Sequence, residues 1–128
     1  MYQPKTEKDL RCPLEHGIRI FGGKWKVRVI CALYELGSLR YVELKKKMYT
    51  ITDAVLTSTL KELTADGIVD RFQYEEIPPR VVYSLSDKGL SIIPLLHGIC
   101  EWTETHCSGS GDYTFTLCSD CRYIRKDG

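Results

Sequence analysis

Apolar residues recur every third or fourth position along the first half of the chain, the period of a helix that buries one face. In "CPLEHGIRIF", Leu14, Ile18 and Phe21 fall at that spacing, and Pro13 suits the opening turn. Gly22-Gly23 breaks this helix. "KWKVRVICALYEL" resumes one, with Val29, Ile30, Leu33 and Leu36 as its apolar stripe and Gly37 as its stop. "RYVELKKKM" predicts a third, with Tyr41, Leu44 and Met48 on one face and Lys45, Lys46 and Lys47 on the rest. In "ITDAVLTSTLKELTADG", Thr52 is the expected N-cap and Ile51 with Leu56 a hydrophobic staple. Leu56, Leu60 and Leu63 form its buried stripe, and Gly67 ends it.

The period then shortens to two. Phe72 and Tyr74 alternate with Arg71, Gln73 and Glu75; Val81, Tyr83 and Leu85 alternate with Arg80, Val82 and Ser84. Two strands with Pro78-Pro79 at the tip predict a stiff hairpin. "SDKGLSIIPLLHGICEWTETH" reads as one long last helix, capped by Ser86 and kinked at Pro94. Leu90, Ile93, Leu96, Ile99, Cys100 and Trp102 are more apolar surface than a small core needs, so a second copy of the chain is expected against it. The order is helix, helix, helix–turn–helix, two-stranded hairpin, long helix. This predicts a mainly α chain with a small β-hairpin wing, a winged helix-turn-helix that pairs with a second copy of itself. Residues 10–106 make the domain and residues 107–128 a cysteine-bearing tail.

The exposed stripe of the fourth helix is Ala54, Thr57, Ser58 and Lys61, small or hydrogen-bonding and without an anion. A helix that lies against base edges wants such a face; an ordinary amphipathic helix is the alternative. Thr52, Asp53 and Ala54 would stand at the groove entrance. Asp53 suits the helix dipole but sits awkwardly near phosphate. Arg80, following a tip whose prolines limit the entropy lost on docking, would meet nucleic-acid backbone. A plain surface hairpin with a protected edge is the competing reading. Lys45, Lys46 and Lys47 would meet flanking phosphates.

Charge sharpens this. The net charge is only +1, but residues 1–60 carry 11 Lys/Arg against 6 Asp/Glu, and residues 61–128 carry 7 against 11. The basic front half can approach a polyanion. The charged start "MYQPKTEKDLRC" is no signal peptide, and the longest apolar stretch is too short to span a bilayer. A cytoplasmic protein with no membrane partner is expected.

Six cysteines in a reducing compartment point to metal, redox chemistry or burial rather than a disulfide framework. Cys31 lies on an apolar stripe and is expected to be buried. Cys12, before Pro13 at a helix N-terminus and beside Arg11, has a setting that favours the reactive thiolate; an unreactive interface thiol is the alternative. If the first and last helices pair across a dimer, Cys12 could reach Cys100 or Cys107 of the other copy. Cys118 and Cys121 form a C-x-x-C pair, half of a tetrahedral zinc site, with Cys107 as third ligand and Cys100 or His106 as fourth. A redox pair and a disordered tail are the alternatives, and no other cofactor is expected. His16, His97 and His106 have no acidic or nucleophilic partner at motif spacing, so no enzyme is expected.

"CPLEHGIRIFGGKWKVRVI", "ELKKKMYTITDAVLTSTLKELTADGIVDR", "EEIPPRVVYSLSDKG" and the closing "EW" resemble the HxlR-type winged-helix transcription regulators of bacteria and archaea, from about Cys12 to Trp102. The resemblance implies a homodimer paired through its first and last helices, with a recognition helix in each major groove of duplex DNA. Some members sense quinones, aldehydes or hypochlorite-like oxidants through the cysteine before the first-helix proline, here Cys12. Two features depart from the family. Ala54 stands where a basic or long polar residue is frequent, and about 26 residues with three more cysteines follow "EW", which the family's core does not require. The expectation is a sequence-specific regulator, a repressor, with a small electrophile or oxidant as inducer. The alternative is a winged-helix protein-interaction adaptor with a zinc-stabilised tail.

Overall fold

A computed structural model describes residues 12–107. Its elements are α1 (Pro13–Phe21), α2 (Lys24–Leu36), β1 (Leu39–Arg40), α3 (Tyr41–Met48), α4 (Asp53–Ala65), β2 (Val69–Tyr74), β3 (Arg80–Leu85), α5 (Asp87–Leu90) and α6 (Ile93–Cys107). Val29 and Ile30 of α2, Leu44 of α3, Leu56 and Leu63 of α4, and Ile68 and Val69 at the foot of β2 are fully buried together. Each such side chain contributes about 1.5–3 kcal/mol by leaving water. The apolar stripes of α2, α3 and α4 thus meet in one core.

Local signals set the ends of α4. The Thr52 hydroxyl accepts from Val55 N at 3.2 Å, as the cap reading expects. Ile51 and Leu56 are both buried, flanking that cap. At the other end Gly67 adopts φ +78°. Its N–H donates to Thr64 O at 3.0 Å and that of Ile68 to Leu63 O at 2.9 Å. This pairing needs a left-handed residue, which glycine supplies without strain. It turns the chain directly into β2.

The sheet has three antiparallel strands in the order β1-β3-β2, with Leu39 opposite Tyr83, Val69 opposite Leu85 and Tyr74 opposite Arg80. The expected hairpin is present and gains a third strand. β1 takes Arg40 away from the third helix, which starts at Tyr41. Two residues are too few to show a period, so β1 had no signature of its own.

The last helix is broken rather than kinked. α5 ends in a tight turn in which Ile92 N donates to Gly89 O at 3.1 Å, and the Ser91 hydroxyl donates to Lys88 O at 2.6 Å. Pro94 cannot donate to Leu90 O and its ring crowds that carbonyl, so the helix restarts at Ile93. Ser86 caps α5 as expected, accepting from Gly89 N at 3.0 Å.

Two apolar expectations change. Leu14 and Ile18 of α1 and Leu36 of α2 are exposed, because among the described residues no element covers them, while Ile20 and Phe21 of α1 pack against the core. Cys31 is half-buried and packs against the core's edge rather than within it. Among the described residues, no helix is long and apolar enough to cross a membrane. Cys118 and Cys121, the expected zinc pair, lie outside the described residues.

Candidate nucleic-acid interface

α3 and α4 are joined by residues 49–52, forming a helix–turn–helix. The start of α3 is held by Glu43, whose carboxylate accepts from Arg40 N at 2.8 Å. Its end is abrupt. Tyr49 adopts φ +72°, and Thr50 N donates to Met48 O at 2.8 Å, a strained γ-turn. The Tyr49 side chain is 86% exposed at this corner.

α4 buries Leu56, Thr59, Leu60 and Leu63 and exposes Ala54, Thr57, Ser58 and Lys61. The four residues expected to read DNA therefore share one open face. The Ser58 hydroxyl donates to Val55 O at 3.2 Å, so it offers a base its lone pairs rather than its proton. Asp53 and Val55 extend the exposed surface at the first turn.

Both acids within α4 are matched by lysines from other helices. Lys26 of α2 lies 3.0 Å from Glu62. Lys45 of α3 lies 3.3 Å from Asp53 Oδ1, and the Tyr41 hydroxyl donates to the same oxygen at 2.8 Å. That hydrogen bond, then the bond and charge of Lys45, hold the Asp53 carboxyl below its usual range. Tyr41 also stands 3.5 Å from the Thr57 hydroxyl. Asp53 is thereby less of an obstacle to phosphate than its sequence position suggests. Among the described residues, Lys46, Lys47 and Lys61 are exposed and form no ion pair, while Lys45 is spent largely on Asp53.

In the wing, Arg80 is committed within the hairpin. Its guanidinium lies over the Tyr74 ring at 3.8 Å and donates to Glu76 Oε2 at 3.0 Å. Tyr74 meets Phe72 edge-on at 4.8 Å. Cross-strand pairing of Tyr74 with Arg80 puts these groups on one face of the sheet.

Sequence reasoning missed Tyr41, Tyr74 and Glu76. Tyr41 is half-buried against the core, and its hydroxyl reaches α4. No spacing along the chain links it to Asp53. Glu76 could have been found as an acid four residues before Arg80.

The cysteines are placed as follows. Cys12 caps α1 and is exposed; Cys100 and Cys107 on α6 are half-buried. All of them carry thiols rather than disulfides.

Several known proteins share this arrangement. An uncharacterised HTH-type transcriptional regulator from Methanothermobacter thermautotrophicus is 42% identical over 104 residues, 79% of either chain. The redox regulator HypR in its reduced form superposes with a TM-score of 0.72 at 35% identity, covering 80% of this chain and all of that one. The reduced form of the regulator YodB from B. subtilis gives 0.70 at 28% identity, over 77% and 96% of the two chains. Each of these relatives is a regulator. Residues 20–110 match the HxlR-like helix-turn-helix family, and the chain belongs to it.

Proposed function

We propose that this chain is a sequence-specific regulator, a repressor, that binds duplex DNA as a homodimer with one α4 in each major groove. The observation that carries the reading is the open face of α4, where Ala54, Thr57, Ser58 and Lys61 are exposed together and both acids within the helix face a lysine. Thr57 and Ser58 meet base edges, Ala54 suits a thymine methyl, and Lys61 takes an adjacent phosphate. Thr52 and Asp53 stand at the groove entrance. Lys46 and Lys47, with Lys45 beside Asp53, meet the flanking phosphates, and Arg80 the backbone beside the wing.

Dimerisation rests on apolar faces that no described element covers. Leu14 and Ile18 of α1 and Leu95, Ile99 and Trp102 of α6 are all more than half exposed. Pairing them sets two recognition helices roughly 34–36 Å apart, one turn of DNA. A redox input rests on the likeness to the redox regulator HypR and on exposed Cys12 at the start of α1.

Gel shifts with duplexes from upstream of the chain's own gene test the reading. Binding weakens as salt rises, and Lys61→Ala lowers the slope of log K against log salt by about 0.9. Retention of the parent's affinity and slope in both Lys61→Ala and Arg80→Ala would place the reading surface elsewhere. Binding to no duplex, or binding insensitive to salt, would favour the adaptor.

A further inference from the structure

Asp53 opens α4, the position from which a recognition helix first reaches base edges. Its carboxylate is anchored through one oxygen. Oδ1 accepts from the Tyr41 hydroxyl at 2.8 Å and lies 3.3 Å from Lys45 Nζ. Oδ2 takes part in neither contact, and the side chain remains 74% exposed. A surface carboxylate with no task would be free to rotate. This one is held by two groups of the preceding helix yet left open to solvent. Lys45 also offsets its charge, which lowers the repulsion it would otherwise meet from DNA.

The chemistry of a fixed carboxylate is narrow, because it accepts hydrogen bonds and never donates them. In the major groove cytosine presents its N4 amino group and adenine its N6 amino group, whereas guanine O6 and thymine O4 are acceptors. We infer that Asp53, oriented by Tyr41 and Lys45, is a specificity-determining residue whose carboxylate accepts from the amino group of a cytosine or adenine at one position of each half-site and excludes guanine and thymine there. This rests on the DNA-reading function proposed above and names the base chemistry read by the first turn of α4. The low protonation range of Asp53 keeps the group an acceptor under ordinary conditions.

A carboxylate that only ties α3 to α4 would have the same contacts, so the test must separate the two. Asp53→Asn keeps an oxygen for Tyr41 and adds a donor that tolerates guanine and thymine. The full-length parent and this variant are each used to select sites from a randomised duplex pool, and the enriched sequences are compared. The parent restricts one position per half-site to cytosine or adenine, by about tenfold over the other two bases. Asp53→Asn relaxes that position and leaves the others as they were. Tyr41→Phe, which removes the anchor but keeps the ring, weakens the preference at the same position. Identical preferences for parent and Asp53→Asn overturn the inference, as does a loss spread evenly over all positions, which marks a structural tie. A parent that enriches nothing overturns the DNA-reading function itself, and the inference with it.

Discussion

Arg80 is proposed to serve the wing twice. In the free protein its guanidinium is stacked on Tyr74 and paired with Glu76. An exposed ion pair of this kind contributes only about 0–1 kcal/mol. A phosphate can therefore replace the Glu76 carboxylate at little cost while the stack on Tyr74 stays in place. On this account Arg80→Ala lowers the salt slope by about 0.9, as loss of one phosphate contact should. Weaker binding with an unchanged slope would instead leave Arg80 as a clamp on the hairpin. Arg80 was legible as a wing cation from its place after Pro78-Pro79. Its clamp was not, because the aromatic partner lies across the turn and is set by strand register.

At the scale of elements, α5 is the piece that packing shapes most. Gly89 is buried at the point where α5 crosses the foot of β2, and a Cβ there would overlap Ile68 O and press on Leu85. The Ser86 hydroxyl lies 2.5 Å from Gly67 O and 3.0 Å from Ile68 O, so α5 is fastened to the chain leaving α4. Helix propensity alone predicts that Gly89→Ala stabilises the protein by about 1 kcal/mol. The close approach predicts a loss of about 1–3 kcal/mol instead. Urea denaturation reads the sign directly, and a midpoint that rises would show that the backbone yields at this crossing.

For the whole molecule, the uncovered faces of α1 and α6 are the main fact. Ile18→Glu places a charge on the α1 face without touching the core. It should turn the proposed dimer into monomers in sedimentation, with duplex binding falling alongside; an unchanged mass would overturn the proposed contact. The proposed redox input would act through the same region. Cys12 of one copy is proposed to join Cys100 or Cys107 of the other, which requires Cα atoms within about 7 Å. A bond there would rotate one copy against the other and mis-space the two recognition helices. Diamide should then give a crosslinked dimer on non-reducing gels and release DNA, and Cys12→Ser should do neither. DNA release that persists in Cys12→Ser would remove Cys12 from the sensing role.

The sequence by itself determined what is encoded within one or two turns of chain. The stripe of Leu56, Leu60 and Leu63, the Thr52 cap, the Gly67 stop and the alternation on either side of Pro78-Pro79 all depend on neighbours a few residues away. Together they set the helix–turn–helix, the wing and the open face of α4. Tertiary structure alone decided the rest. β1 exists because Leu39 finds Tyr83, 44 positions along the chain. Tyr49 takes a positive φ because α3 and α4, each packed on α2, are joined by a sharp corner, and no glycine announced it. Asp53 gains its direction from Tyr41 and Lys45 because two helices cross there. Such pairings follow from how buried stripes dock, and a stripe names the face it will bury without naming the side chains that will meet at its edge.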